Sequence, residues 1–199
     1  MAIEIRTLKG EALKAALPAL AGLRISVFRE WPYLYDGSLA YEEKYLARYA
    51  DTDGAVIIGA FDSAFDGDRL VGAATGQPLI HEVAAIRRPF EEAGLDPADV
   101  FYFAESVLDP DYRGRGIGHR FFDEREAHAR SLGCSTAAFC AVIRPDDHPM
   151  RPKDYSPLDP FWAKRGYRRL EGGIVCFPWQ DVGEAQETEK PMQIWIGDL

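Results

Sequence analysis

Apolar and polar residues alternate at the start of the chain, Ile3 and Ile5 against Glu4 and Arg6, which predicts a first strand over 2–8. From Glu11 to about Glu30 the period becomes helical, with Pro18 and Gly22 as points where that helix can split. Pro32 disfavours helix before it and Asp36-Gly37 signals a turn, so 31–37 is read as a loop. Ser38 is placed to cap a helix over 39–50, with Glu42 or Glu43 in its first turn. Strands are predicted at 55–61 and 70–75, joined by a hairpin-like link carrying Asp66-Gly67. A short helix over 82–93 stops at Gly94 and Asp96-Pro97. The aromatic and aliphatic run 100–108 predicts a buried strand. A helix over 116–132 follows, with Ile117, Phe121, Phe122, His128, Ala129 and Leu132 on or near one face. Gly133 stops it before a strand at 134–142. Prolines 145, 149, 152, 157 and 160 mark 143–160 as a long ordered loop near function. A late helix, a strand at 168–177, an acidic link (Asp181, Glu184, Glu187, Glu189) and a strand at 191–197 complete the order. With no repeat and no separating linker, residues 1–199 are expected to form one domain. Its expected class is α/β (α+β), a central mixed sheet flanked by helices.

Composition narrows the class of partner. Hydrophobic residues make up 47% of the 199, ordinary for a globular core. No apolar run approaches the roughly 18 residues of a spanning helix, and charges break the pattern at the start, so neither a membrane partner nor a signal peptide is expected. Three cysteines at 134, 140 and 176 form no Cys-x-x-Cys and are read as small buried residues in a reducing cytoplasm. The net charge of −9 argues against nucleic acid. Against that background, 113–120 holds three arginines and no acid, an island suited to a polyphosphate.

That island is a strand–loop–helix unit. The strand ends at Val107-Leu108-Asp109-Pro110, and glycines 114, 116 and 118 precede the helix. Bare glycines let an anion approach the first N–H groups of a helix, where the macrodipole is positive. A Walker loop is excluded, because no lysine lies between 45 and 152. A dinucleotide fingerprint fails at His119 read from Gly114, and at Phe121 read from Gly116. Arg-x-x-Gly-x-Gly fits, as Arg113, Gly116 and Gly118. About 50 residues further on, Phe161-Trp-Ala-Lys-Arg-Gly-Tyr167 precedes a strand-like segment. Together they resemble the coenzyme A loop and the late helix and strand of the GNAT N-acetyltransferase superfamily, clearly over 100–178 and by element order before that.

The resemblance implies a GNAT-like, mostly antiparallel sheet with a splayed central pair of strands, and acetyl-CoA as co-substrate. Its pyrophosphate would lie on Arg113, Gly114, Arg115, Gly116, Ile117, Gly118 and His119. Its pantetheine arm would run beside Ser106, Val107 and Leu108. An alkylammonium acceptor, with a pKa of about 10, must lose a proton before attack. Glu105, in mid-strand, is the candidate base, weighed against a carboxylate paired with an arginine or capping a backbone group. The family often protonates its leaving thiolate with a late-helix tyrosine. Aligned on Gly166 that position is Trp162, which leaves Tyr155, or water, as the candidate acid. Trp31, Tyr33 and Tyr35 lie where the acceptor groove forms and are read as a cation–π wall or as loop packing. Asp146-Asp147-His148 stands roughly where the family carries an asparagine, as a metal pair, an acceptor-binding cluster or an exposed turn; no metal is expected, for want of a second spaced His or Cys. The expected function is transfer of acetyl from acetyl-CoA to a primary amine of a small molecule in the cytoplasm. The alternatives are a non-catalytic acyl-CoA sensor module and a protein lysine or N-terminal acetyltransferase. A homodimer pairing strand 191–197 is a further expectation.

Overall fold

The computed structural model describes residues 3–64 and 68–199; the Asp66-Gly67 turn lies outside them. Seven strands form one sheet, β1 (Ile3–Leu8), β2 (Val56–Asp62), β3 (Arg69–Pro78), β4 (Val100–Leu108), β5 (Thr136–Val142), β6 (Arg168–Trp179) and β7 (Thr188–Asp198). Their spatial order is β1-β2-β3-β4-β5-β7-β6. Every pairing is antiparallel except β4 with β5. That parallel pairing extends only over Val100↔Thr136, Phe101↔Ala137 and Tyr102↔Ala138, after which the two strands part. The mixed, mostly antiparallel sheet and its splayed pair are therefore as expected.

Helices α1 (Gly10–Phe28), α2 (Leu39–Asp51) and α3 (Ala84–Glu92) cover one face, and α4 (Ile117–Ser131) and α5 (Asp159–Lys164) the other. Helix α1 runs unbroken through Pro18, because that residue faces solvent while Leu13, Leu20 and Ala21 anchor the buried stripe. Ser38 precedes α2 but its hydroxyl caps nothing, and Glu42 turns inward instead of meeting water. Cys176 is exposed on β6, unlike the buried cysteine expected there, because the outward face of this edge strand has no covering layer. Strand β7 is inside the sheet between β5 and β6, so it offers no free edge to a second copy; the edges are β1 and β6.

One irregularity positions the site. Thr75 pairs with Glu105 but Gln77 pairs with Tyr102, two steps on β3 against three on β4, so β4 carries an extra residue. Before it, Phe101 and Phe103 pack under α4. After it the faces exchange. Glu105 and Val107 turn toward α1, and Ser106 and Leu108 toward α4.

Candidate functional site

Where β4 and β5 part, a cavity of about 1100 Å³ opens between the loop after α1, the start of α4 and the 143–158 loop. The chain reaches the start of α4 through a tight turn. Asp109 accepts the Asp111 N–H at 3.0 Å, and Tyr112 is buried with its hydroxyl donating to Asp62 at 2.7 Å. Gly114 (φ +75°) and Gly116 (φ +77°) are left-handed, a conformation that L side chains rarely adopt. A Cβ at either would meet no atom within 4 Å, so the space above the turn is open. Gly118 needs no such freedom, and a Cβ there would touch only Phe161 at 3.7 Å. Arg120 N–H returns to Gly116 O (3.3 Å), so the N–H groups of Ile117, Gly118 and His119 precede the first helical bond. These donors and the open turn fit a diphosphate.

Most expected cofactor residues line this cavity, namely Ser106, Leu108, Arg113, Gly114, Gly116 and the Ile117–His119 turn. Two do not. Val107 is buried in the cluster beneath α1, because the extra residue in β4 turned it away. Arg115 folds back, donating to Asp111 O (2.7 Å) and lying over the Tyr112 ring. Arg113 pairs with Glu30 at 2.8 Å; both are well exposed, so the pair is weak and exchangeable for a phosphate. The His119 ring rests on Phe161, centroids 4.8 Å apart, and its Nδ1 lies 3.2 Å from Arg165.

Glu105 borders the cavity and forms an ion pair with Arg24 of α1. Arg24 is held from behind by Glu42, Nε to Oε2 at 2.5 Å, and its guanidinium lies over the rings of Phe28 and Tyr45. Two carboxylates on one guanidinium leave this buried group one negative charge in excess. Glu105 is thus both paired and positioned at the cavity wall. Arg24 and Glu42 were missed as site residues, although Arg24 falls on the buried stripe of α1 between Leu20 and Phe28. Arg125, also missed, is 1% exposed on α4, in helical register with Phe121 and Phe122. Burial pushes its guanidinium down to about 9, with Tyr167 and Glu126 opposing, so it stays charged at neutral pH.

The acceptor-side aromatics divide. Trp31 lines the cavity and meets His148 (5.0 Å) and Tyr155 (5.9 Å), ring to ring. Tyr33 lines it too, with its ring on Phe28 and its carbonyl accepting from Arg144 (2.5 Å) and Trp179 (3.1 Å). Arg144 is in turn held by both oxygens of Asp181. Tyr35 is absent from the wall: its N–H bonds Phe28 O, its backbone pairs with Asp181, and burial and Glu42 push its phenol up. It packs the loop, because hydrogen bonding to two neighbouring segments turns it off the cavity. Tyr155 reaches the wall, its phenol raised chiefly by burial and then by Asp159. Trp162 packs between Phe139 and Trp195, and Gly166 (φ +88°) ends α5 so that Tyr167 enters the core. Asp146 pairs with Arg151, and His148 accepts the Met150 N–H (3.2 Å), an exposed turn. Among the described residues no group of three or more His, Cys, Asp or Glu could hold a metal ion, and no helix is long and apolar enough to cross a membrane.

Residues 23–152 match the family model described as the acetyltransferase (GNAT) family. A search of curated proteins finds no match. Similar solved structures include Arabidopsis thaliana NAA60 in complex with a bisubstrate analogue, at 14% identity and TM-score 0.65, covering 100% of this chain and 99% of that one. Ribosomal-protein-alanine N-acetyltransferase from Brucella melitensis shows 16% identity and TM-score 0.63, covering 98% and 99%. The Salmonella typhimurium protein yncA, solved with its cofactor acetyl-CoA, shows 10% identity and TM-score 0.62, covering 100% and 95%. At these identities the likeness is one of fold. With its family model spanning well over half of the sequence, the chain belongs to the acetyltransferase (GNAT) family and is a GNAT-type acyltransferase.

Proposed function

We propose that this protein transfers an acetyl group from acetyl-CoA to a primary amine of a small cytoplasmic molecule. The observation that carries the reading is the left-handed turn at Gly114 and Gly116, whose open space and unpaired N–H groups lead into the fork of β4 and β5. The structural likeness to a protein solved with acetyl-CoA supports the same donor. Bound there, acetyl-CoA supplies an activated acyl carbon. Ile117, Gly118 and His119 donate N–H groups to the diphosphate, and Arg113 exchanges Glu30 for it.

The acceptor approaches from the side of Trp31 and Tyr33. Its ammonium neutralises the excess charge of the Glu42–Arg24–Glu105 group, which favours a cation over a neutral or anionic acceptor. Glu105 takes the proton, directly or through a water, while Arg24 keeps the carboxylate in place. Trp31 and Tyr33 line that side of the cavity, and an aromatic lining suits an alkylammonium.

The test is calorimetric titration with CoA, then thiol release from acetyl-CoA across a panel of amines. Binding and amine-dependent release are expected. Gly116→Asp, which forces a side chain and a negative charge into the left-handed turn, is expected to abolish binding with the fold retained. Normal affinity in that variant refutes the cradle. Binding without release from any amine supports a sensor instead, and acceptance of peptides alone supports protein acetylation.

A further inference from the structure

Arg125 is a buried cation without a buried anion. It forms no ion pair among the described residues, and its guanidinium lies over Phe103 (4.2 Å) and Phe122 (5.1 Å). All its recorded acceptors are neutral: Phe121 O (3.2 Å), Thr75 O (3.2 Å), Glu105 O (2.9 Å) and Ser106 Oγ (2.9 Å). The two strand carbonyls are those beside the extra residue of β4, so Arg125 satisfies them where the ladder is interrupted. Leaving such a charge uncompensated is costly, and it favours negative charge that forms nearby.

Ser106 stands between that charge and the cavity. Its side chain is exposed, and its oxygen accepts from Nη2 of Arg125, which leaves its own O–H free to donate into the cavity. A ligand strung from the 114–119 turn back along β4 passes Leu108 and then Ser106 before it reaches the level of Glu105.

We propose that Ser106, held and polarised by Arg125, receives the sulfur that departs in acyl transfer, the task for which Trp162 offers no phenol. The inference rests on the acyl-CoA reading above. The acceptor nitrogen forms a bond to the acyl carbon, the carbon–sulfur bond breaks, and its electron pair goes to sulfur. Of the two protons the ammonium loses, one ends on sulfur and one reaches solvent through Glu105. Ser106 keeps its proton and donates a hydrogen bond to the thiolate; Arg125 is the positioning residue behind it. Around Arg125 stand Tyr49, Glu126, Arg165 and Tyr167, with Glu126 already bonded to Arg165 at 2.9 Å. Glu105 and Arg24 face the other side of β4, and Cys140 and Tyr155 line the cavity.

The test uses CoA itself. Its bound thiol is titrated by ultraviolet thiolate absorbance, with the desulfo-CoA complex as blank to remove the protein's own cysteines. In the wild type the bound thiol is expected to ionise at least about 1 pH unit below that of free CoA titrated in the same buffer. Ser106→Ala and Arg125→Met return it toward that of free CoA, and Arg125→Lys retains most of the shift. Ser106→Ala also lowers kcat by about 10- to 100-fold with KM for acetyl-CoA nearly unchanged. Should Arg125→Met fail to fold, Ser106→Ala and Arg125→Lys decide the matter. CoA bound with an unshifted thiol overturns this inference alone, as does a Ser106→Ala variant with wild-type ionisation and kcat. Failure of CoA to bind the wild type overturns the acyl-CoA reading, and this inference with it.

Discussion

Three successive residues of β4 have three different surroundings. Glu105 meets Arg24, Ser106 meets Arg125, and Val107 is 2% exposed beneath α1. The extra residue in the strand explains why Glu105 faces α1 although Phe103, two positions earlier, packs under α4; Ser106 then takes the α4 side by ordinary alternation. Val107 is consequently a packing residue. Val107→Ala is expected to cost about 2 kcal/mol in urea unfolding, the loss of two buried methyl groups with partial collapse around them. CoA affinity measured by calorimetry should stay within about twofold of wild type, since backbone rather than side chain borders any ligand there. A large loss of affinity at unchanged stability would return Val107 to the cofactor wall.

The turn before α4 depends on a partner from β2. Asp62 is buried and accepts the Ala64 N–H (2.9 Å) and the Tyr112 hydroxyl (2.7 Å), which together hold its carboxyl below the usual range. A depressed carboxylate contributes stability above its unfolded pKa of about 3.9, and that contribution disappears as pH falls through the folded value. Wild type should therefore lose stability steeply below pH about 4. Asp62→Asn should be less stable at neutral pH and show a shallower acid slope, read from urea midpoints across pH. An unaltered slope would mean that Asp62 does not tie the turn to β2. This element was legible only in part. Asp109-Pro110 and the glycines announced a turn, whereas Tyr112 reaching back to a residue 50 positions earlier left no local signal.

In the assembled protein the cavity exists because β4 and β5 share three residue pairs and then diverge. Walls come from α1, the loop after it, α4, β5 and the 143–158 loop, so a ligand bridges segments distant in sequence. Such bridging should stabilise the fold by mass action. CoA at a hundredfold excess over its Kd should add about 2.7 kcal/mol and raise the melting temperature by about 5–10 °C. Gly116→Asp should show no rise. An equal shift in both would place the ligand elsewhere. At this scale too the expected pairing of 191–197 with a second copy fails, because β7 is already bonded on both sides, to β5 and β6. Any strand-to-strand association would use β1 or β6.

Local chemistry in the chain announced the glycine-rich turn and the helix start after it, which follow from residue type and spacing; that Gly114 and Gly116 but not Gly118 are left-handed came from the structure. Alternation and helical period likewise announced the order of strands and helices, because each is a short-range property of burial on one face. Which side of β4 each residue presents was decided only in three dimensions, by the mismatch of register between β3 and β4. The same holds for Arg24, Glu42 and Arg125: charged residues on buried stripes that gain partners from other elements. A buried charge is tolerated only through groups brought together by folding, and no window of sequence contains both partners.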